Sequence, residues 1–191
     1  MHLKLLPLGA LIAITLLTNG CQSKEKSEKP AAQKSEKEIK EPKKFTLKDA
    51  NATIVAQLGE KGITFTTKAP IVMLDFFATW CPPCRAEIPH LANLQKKYKG
   101  KLQIIGVLVD NVAPDELSRF RKEHGINYFV SNAPDNMLLA ASTADMLHQP
   151  KNFSIPMMVI FVNGKYFRHY VGMVPEEMME SDIKEALKEI E

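Results

Sequence analysis

The chain has 191 residues, 45% of them apolar, with three cysteines and a formal net charge of +3. This length suits one ordinary globular domain preceded by a short segment. Most of the positive charge lies early, because residues 22–44 hold eight lysines and five glutamates, whereas residues 45–191 hold 16 basic and 17 acidic side chains. The part that can fold lacks the basic surface that binds nucleic acid, so no nucleic-acid partner is expected.

The first 20 residues have the features of an export signal. Lys4 precedes an apolar stretch over residues 5–17, which is short for a membrane span. The residues that follow, Leu17-Thr18-Asn19-Gly20-Cys21, resemble the lipobox of bacterial lipoproteins, in which the cysteine is acylated. This resemblance implies a signal peptide over residues 1–20 and a protein anchored to a membrane by lipid on Cys21. It would then lie in the periplasm or on the exterior face of the cell envelope. An ordinary signal peptide followed by a free cysteine is the alternative.

Residues 22–44 consist of Lys, Glu, Ser, Gln, Ala and Pro, with Ile39 as the single large aliphatic side chain. Such a composition cannot bury enough apolar surface to fold, so residues 21–44 are predicted to be a lipid anchor followed by a disordered tether. Residues 45–191 form the predicted domain. Lipidation of Cys21 would leave an even pair of cysteines, Cys81 and Cys84, in an exported protein where disulfides persist.

The domain begins with short alternating segments. Residues 45–47 and 63–65, with Gly59 and Gly62 between them, predict an N-terminal β-hairpin. The continuous apolar run over 71–77, with Asp75 as its only acid, predicts a central strand that is covered on both faces. Hydrophobic spacing and glycine stops then predict helices over 82–99, 114–124 and 136–147, with strands over 102–109 and 126–130.

The pattern changes towards the C-terminus. Residues 157–162 and 166–171 predict two strands joined by Asn163-Gly164-Lys165, and Asn-Gly is a strong signal for a tight β-hairpin. An amphipathic helix is predicted from Pro175 onward. The predicted fold is α/β: a parallel βαβαβ unit, then a β-hairpin and a closing helix, with helices on both faces of a mixed sheet.

Cys81 and Cys84 enclose Pro82 and Pro83 where the predicted central strand ends and the first long helix begins. Free backbone N–H groups and the dipole at a helix N-terminus favour negative charge, so Cys81 is expected to be a stabilised thiolate. Cys84, one turn inside, is expected to be shielded. Cys81 would then attack a substrate disulfide, and Cys84 would resolve the mixed disulfide. A metal site would need further Cys or His ligands, and none is paired nearby, so no metal is expected.

Two segments carry a family resemblance: DFFATWCPPCRAEIP over residues 75–89, and Ser154-Ile155-Pro156-Met157. They resemble the thioredoxin superfamily and, within it, the exported, membrane-anchored branch of the TlpA, ResA and DsbE proteins. The resemblance covers roughly residues 45–191. It implies a thioredoxin-like fold that needs no cofactor beyond the redox-active pair Cys81 and Cys84. It also implies that Pro156 is cis and faces the cysteines, where its backbone would pair with an extended substrate.

The candidate site extends beyond the cysteines. Burial of Asp75 in its strand should raise the pKa of its carboxyl and let it accept the proton of Cys84, and a purely structural buried acid is the alternative. Glu87, one turn beyond Cys84, either tunes a sulfur or lies on the exposed surface of the helix. Trp80 is expected to shield the cysteines locally. The residues expected to contact substrate are Trp80, Pro82, Pro83, Ile155 and Pro156.

The resemblance implies a thiol:disulfide oxidoreductase outside the cytoplasm, with protein thiols and disulfides as substrates. A disulfide reductase is the leading interpretation, and the haem-binding cysteines of apocytochrome c are one implied substrate class. A reductase in an oxidising compartment needs electrons, so a membrane donor of the DsbD or CcdA type is the implied partner. Two alternatives stay open: an oxidant of the DsbA type, and a non-enzymatic lipoprotein that binds partners.

Overall fold

The computed structural model describes residues 43–190 except Asn51 and Lys151. The predicted signal peptide, the predicted lipidation site Cys21 and residues 22–42 of the predicted tether lie outside the described residues. Among the described residues, no helix combines the length and apolar character needed to cross a membrane. The elements are β1 (Lys44–Asp49), β2 (Ala52–Gly59), β3 (Gly62–Phe65), β4 (Ile71–Phe77), α1 (Pro82–Lys97), β5 (Leu102–Leu108), α2 (Pro114–Glu123), β6 (Phe129–Ser131), α3 (Asn136–Met146), β7 (Met157–Val162), β8 (Lys165–Val171) and α4 (Glu176–Lys188).

A five-stranded mixed sheet organises the domain, in the order β6-β5-β4-β7-β8. Strands β4, β5 and β6 run parallel, and β7 joins β4 in the antiparallel sense. Every side chain of β4 is buried. The continuous apolar run arises because this central strand has packed layers on both faces. The thioredoxin-like α/β fold predicted from the sequence is thereby confirmed.

Two apolar layers cover the sheet. One layer contains side chains of α1, α2 and α4, such as Leu91, Leu117 and Ile183, together with Cys81 and Cys84. The other contains the N-terminal strands and α3, represented by Phe45 and Leu139. Successive residues of β4 point alternately into these two layers, because side chains in a strand alternate between faces.

The N-terminal extension has three strands, one more than the predicted hairpin. Strands β1 and β3 do not pair with each other, because β2 lies between them and is antiparallel to both. The strand β2 was missed in the sequence because only Ile54 and Ala56 of its side chains are fully buried, which leaves a weak hydrophobic pattern. The sequence predicts the extension itself but not its middle strand.

The remaining predicted elements are confirmed with small shifts at their ends. The β7–β8 hairpin turns at Asn163 and Gly164, which both have positive φ angles, 49° and 77°. The largest shift concerns β6, which begins at Phe129. Tyr128 is the residue just before β6. Its backbone carbonyl accepts a 3.1 Å hydrogen bond from the side chain of Arg121, at Nη2.

Candidate active site

The two cysteines form a disulfide at the N-terminus of α1. Cys81 is the N-cap residue, with φ −83° and ψ 111°, and its sulfur accepts a hydrogen bond from the backbone N–H of Cys84 at 3.3 Å. Pro82 and Pro83 occupy the first helical positions, where an N–H would have no partner within the helix. The backbone therefore places the Cys81 sulfur at the positive end of the helix dipole.

Both cysteines are almost completely buried in this oxidised state, each with 3% of its surface exposed. Cys84 is buried, as expected, but Cys81 is buried to the same extent, so the expected difference in exposure between the two sulfurs is absent from the oxidised form. What distinguishes the two residues here is their position, since Cys81 caps the helix and Cys84 lies inside its first turn.

The loop before β7 lies against the disulfide. The peptide bond between Ile155 and Pro156 is cis, as the family resemblance implies. The carbonyl oxygen of Ile155 lies 3.9 Å from the Cys81 sulfur. The carbonyl of Pro156 accepts a hydrogen bond of 2.8 Å from the N–H of Gly172, which ties this loop to the segment after β8. The predicted neighbourhood of Cys81 and the late proline is therefore present.

Trp80 projects from the loop before the disulfide, with 68% of its surface exposed. The side chain therefore lies in solvent, where it can contact a partner. The predicted role of Trp80 as a local shield over the cysteines is wrong. The backbone beneath it is fixed by Asp110, because the N–H and the hydroxyl of Thr79 both donate to Asp110 Oδ2, at 2.9 and 2.7 Å. Asp110 was missed in the sequence, although its place just after β5 puts it at the same sheet edge as Trp80.

Asp75 is buried in the middle of β4, with 3% of its surface exposed, and its Oδ1 atom has no hydrogen-bond partner in the part of the chain that the structure describes. Its strand neighbours Met73 and Phe77 belong to the layer that contains Cys84, so the carboxyl faces that layer. Burial raises the pKa of Asp75 well above its ordinary value, and the nearby Glu87 carboxylate raises it further. The predicted perturbation of this acid is present.

Glu87 is buried, with 1% of its surface exposed, so the alternative of an exposed helix-surface acid is wrong. Its Oε1 atom accepts a 3.2 Å hydrogen bond from the N–H of Val174, whereas Oε2 has no partner among the residues described. Burial raises the pKa of Glu87 to about 7, against the lowering effects of the Val174 N–H and of His90. His90 itself is half-exposed and contacts Glu176, with 2.9 Å between Nδ1 and Oε2.

A third buried titratable group, Tyr128, was also missed in the sequence. Among the described residues its hydroxyl has no hydrogen-bond partner. Burial, followed by the Asp75 and Glu87 carboxylates, raises the pKa of its phenol well above the ordinary value. In the described part of the chain, no three His, Cys, Asp or Glu side chains are grouped so that they could hold a metal ion. The site therefore combines a helix-capping disulfide with buried acids, Asp75 and Glu87, whose pKa values are raised.

The fold and this cysteine pair define a thioredoxin-like oxidoreductase, in which a disulfide at a helix N-terminus faces a cis-proline loop. The chain belongs to the Redoxin family, whose model matches residues 40–187.

Similar proteins carry related names. Thiol-disulfide oxidoreductase ResA from Bacillus subtilis is 29% identical over 137 residues, which cover 71% of this chain and 68% of ResA. A crystal structure titled as a putative thiol:disulfide interchange protein DsbE from Chlorobium tepidum aligns with a TM-score of 0.55 at 25% identity, covering 76% of this chain and 94% of that one. A second structure from that organism, titled as a thiol:disulfide interchange protein of the thioredoxin family, has a TM-score of 0.54 at 29% identity, covering 63% of this chain and 81% of that one.

Proposed function

We propose that this protein is an extracytoplasmic disulfide reductase that acts on protein thiols. The observation that carries the proposal is the Cys81–Cys84 disulfide at the N-terminus of α1, with buried acids of raised pKa in the layer behind it. The named activities of ResA and of the DsbE-titled structure support the same chemistry. Apocytochrome c, whose cysteines must be reduced before haem attachment, is the substrate class we favour.

The reductive half-reaction follows from the positions of the sulfurs. The thiolate of Cys81 attacks a substrate disulfide, so that a bond forms between Cys81 and one substrate sulfur and the other leaves as a thiolate. Cys84 then loses its proton, attacks the Cys81 sulfur and releases the second substrate thiolate. Two electrons pass to the substrate, and the Cys81–Cys84 disulfide is restored.

The buried acid can serve the proton transfer of the reductive direction. In that direction Cys84 must lose a proton inside the protein, since it is almost completely buried. Asp75 faces the same layer, and its raised pKa makes its carboxylate a stronger proton acceptor than an exposed one. In an oxidant the same step runs in reverse: the substrate thiolate attacks Cys81, Cys84 leaves as a buried thiolate, and the protonated carboxyl of Asp75 supplies its proton.

The location and the electron donor also belong to this proposal. A signal peptide over residues 1–20 and acylation of Cys21 would hold the domain at a membrane outside the cytoplasm, at the end of the tether. A reductase there must be reduced again after each turnover, and a membrane thiol donor of the DsbD or CcdA type would supply the electrons. The substrate-contacting surface would comprise Trp80, Pro82, Pro83, Ile155 and Pro156.

Trapping tests the proposal. In Cys84→Ser, Cys81 can still attack a substrate but the mixed disulfide cannot be resolved, so covalent complexes should accumulate and can be identified after purification from envelope extracts. Cys81→Ser is the matched control, because it removes the attacking sulfur and should trap far less. Apocytochromes c or a membrane thiol donor among the trapped partners support the reductase.

Other outcomes contradict it in distinguishable ways. Many unrelated secreted proteins on Cys84→Ser would indicate an oxidant of the DsbA type. If both single variants trap nothing, the pair does not exchange with proteins, and a non-enzymatic binding lipoprotein replaces the proposal. The equilibrium reduction potential of the pair against glutathione separates the two enzymatic directions independently.

A further inference from the structure

Tyr128 is a buried phenol whose hydroxyl has no partner in the described part of the chain. Only 3% of the residue is exposed, and its ring packs in the apolar layer that holds Cys81 and Cys84. Leaving a buried hydroxyl unpaired is unfavourable, and phenylalanine would fill the same space without that cost. A role in packing alone therefore does not explain the hydroxyl.

The position of the ring is set by a glycine in the neighbouring strand. Gly106 is the register partner of Asp75 on one side and of Val130 on the other. A Cβ at Gly106 would lie 3.4 Å from Cε2 of Tyr128 and 2.9 Å from Cε1 of Phe77. Register partners in adjacent strands point to the same face of a sheet. The Tyr128 ring therefore lies beside Gly106, on the sheet face that the Asp75 carboxyl occupies.

The polar atoms around the ring are chemically complementary. Within residues 43–190, leaving out Asn51 and Lys151, Asp75 Oδ1 and Glu87 Oε2 are buried acceptors without a partner, and the Tyr128 hydroxyl is a buried donor without one. The two carboxylates are near enough to raise the pKa of the phenol, with burial as the larger cause, so the hydroxyl keeps its proton. The charged groups that act on Tyr128 are Asp75 from β4, Glu87 from α1 and Arg121 from α2, and Arg121 opposes the other two.

We propose that Tyr128 is a positioning residue that donates a hydrogen bond to the Asp75–Glu87 pair when the pair is ionised, and so stabilises the carboxylate that receives the Cys84 proton. The inference rests on the proposed function. In the step concerned, the S–H bond of Cys84 breaks, its proton moves to Asp75, and the resulting thiolate displaces the substrate sulfur from Cys81. The Tyr128 proton stays on its oxygen throughout.

Removal of the donor should shift the pH at which resolution occurs. Without the Tyr128 hydroxyl the ionised pair loses a stabilising bond, so the carboxyl holds its proton to a higher pH. At a given acidic pH a smaller fraction of molecules then has the carboxylate free to accept the Cys84 proton. A shift of about one pH unit corresponds to roughly tenfold slower resolution on the acidic limb of the profile. The rates of Tyr128→Phe and wild type should converge at high pH, where the carboxyl is ionised in both.

Resolution can be measured directly with dithiobis(nitrobenzoate) in the reduced full-length protein carrying Cys21→Ala, which leaves Cys81 and Cys84 as its two thiols. Attack by Cys81 releases one equivalent of coloured thiolate, and subsequent attack by Cys84 releases the second, so the second phase in stopped flow reports resolution. This phase is recorded against pH for wild type, Tyr128→Phe and Tyr98→Phe. Tyr98→Phe is the matched control, because it removes a hydroxyl that bonds Glu180 at 3.0 Å near the C-terminal end of α1.

We expect the acidic limb to move upward in Tyr128→Phe and to stay in place in Tyr98→Phe, with no fall in the melting temperature of Tyr128→Phe. Coincident profiles for Tyr128→Phe and wild type overturn the inference. If Asp75→Asn still slows the second phase in that case, the proposed function stands without Tyr128. If Asp75→Asn leaves the phase unchanged, no buried acceptor operates, and the inference fails together with the assigned role of Asp75.

Discussion

The buried carboxyl of Glu87 makes the stability of the domain depend on pH. Its folded-state pKa of about 7 exceeds the value of 4.5 expected in the unfolded chain. The folded state therefore holds this proton more tightly, and the stability it gains is present below about pH 4.5 and lost as the pH rises through about 7. The change Glu87→Gln removes the ionisation, while the amide oxygen can still accept the hydrogen bond from Val174.

The magnitude follows from the pKa difference. At about 1.4 kcal/mol per pKa unit, the rise from 4.5 to about 7 gives an upper bound of about 3.5 kcal/mol at pH 8. Loss of the Glu87 charge also relieves Asp75, whose pKa it helps to raise, and this acts in the same direction. Glu87→Gln should therefore be more stable than wild type at pH 8, with a gain that shrinks towards zero at pH 4.

Urea unfolding of the oxidised proteins between pH 4 and pH 8 measures this difference in the free energy of unfolding. Glu60→Gln is the matched control, because it removes a carboxylate from the exposed turn between β2 and β3 and leaves the buried layer unchanged. A difference between Glu87→Gln and wild type that does not vary with pH would falsify the buried-acid account. So would a loss of stability in Glu87→Gln at pH 8.

Three further outcomes are expected. Gly106→Ala should lower the free energy of unfolding by about 1–3 kcal/mol, because the new Cβ would lie 2.9 Å from Cε1 of Phe77 in a packed layer, and calorimetry or denaturation checks this. Asp110→Ala should remove both hydrogen bonds from Thr79 and lower the free energy of unfolding by about 1–3 kcal/mol. It should also raise the KM for protein disulfides, and an unchanged KM would contradict a role of Asp110 in holding the Trp80 loop. Cys21→Ala should move the protein from the membrane to the soluble envelope fraction without loss of disulfide exchange, and membrane retention of this variant would refute lipid anchoring.

Local patterns were sufficient for the elements that carry the disulfide. The apolar run over 71–77 predicts β4 with its observed bounds, and the prolines of CPPC predict a helix start at Pro82. These predictions succeed because strand burial and helix initiation depend on neighbouring residues, which the sequence records directly. The prediction of the Asn163-Gly164 turn is confirmed for the same reason, since both positions require positive φ.

Contacts between distant segments decided the rest of the site. Glu87 is buried with its carboxylate bonded to Val174, 87 positions away, and helix periodicity does not report which face a later loop will cover. Asp110 reaches Thr79 across 31 positions, and Tyr128 packs beside Gly106 only because the parallel strands β4, β5 and β6 align in one register. The sequence by itself therefore determines the fold class and the reactive pair. The tertiary structure determines which acids and hydroxyls lie in the buried layer behind the two cysteines, because their burial and hydrogen bonds arise only when segments far apart in the chain pack together.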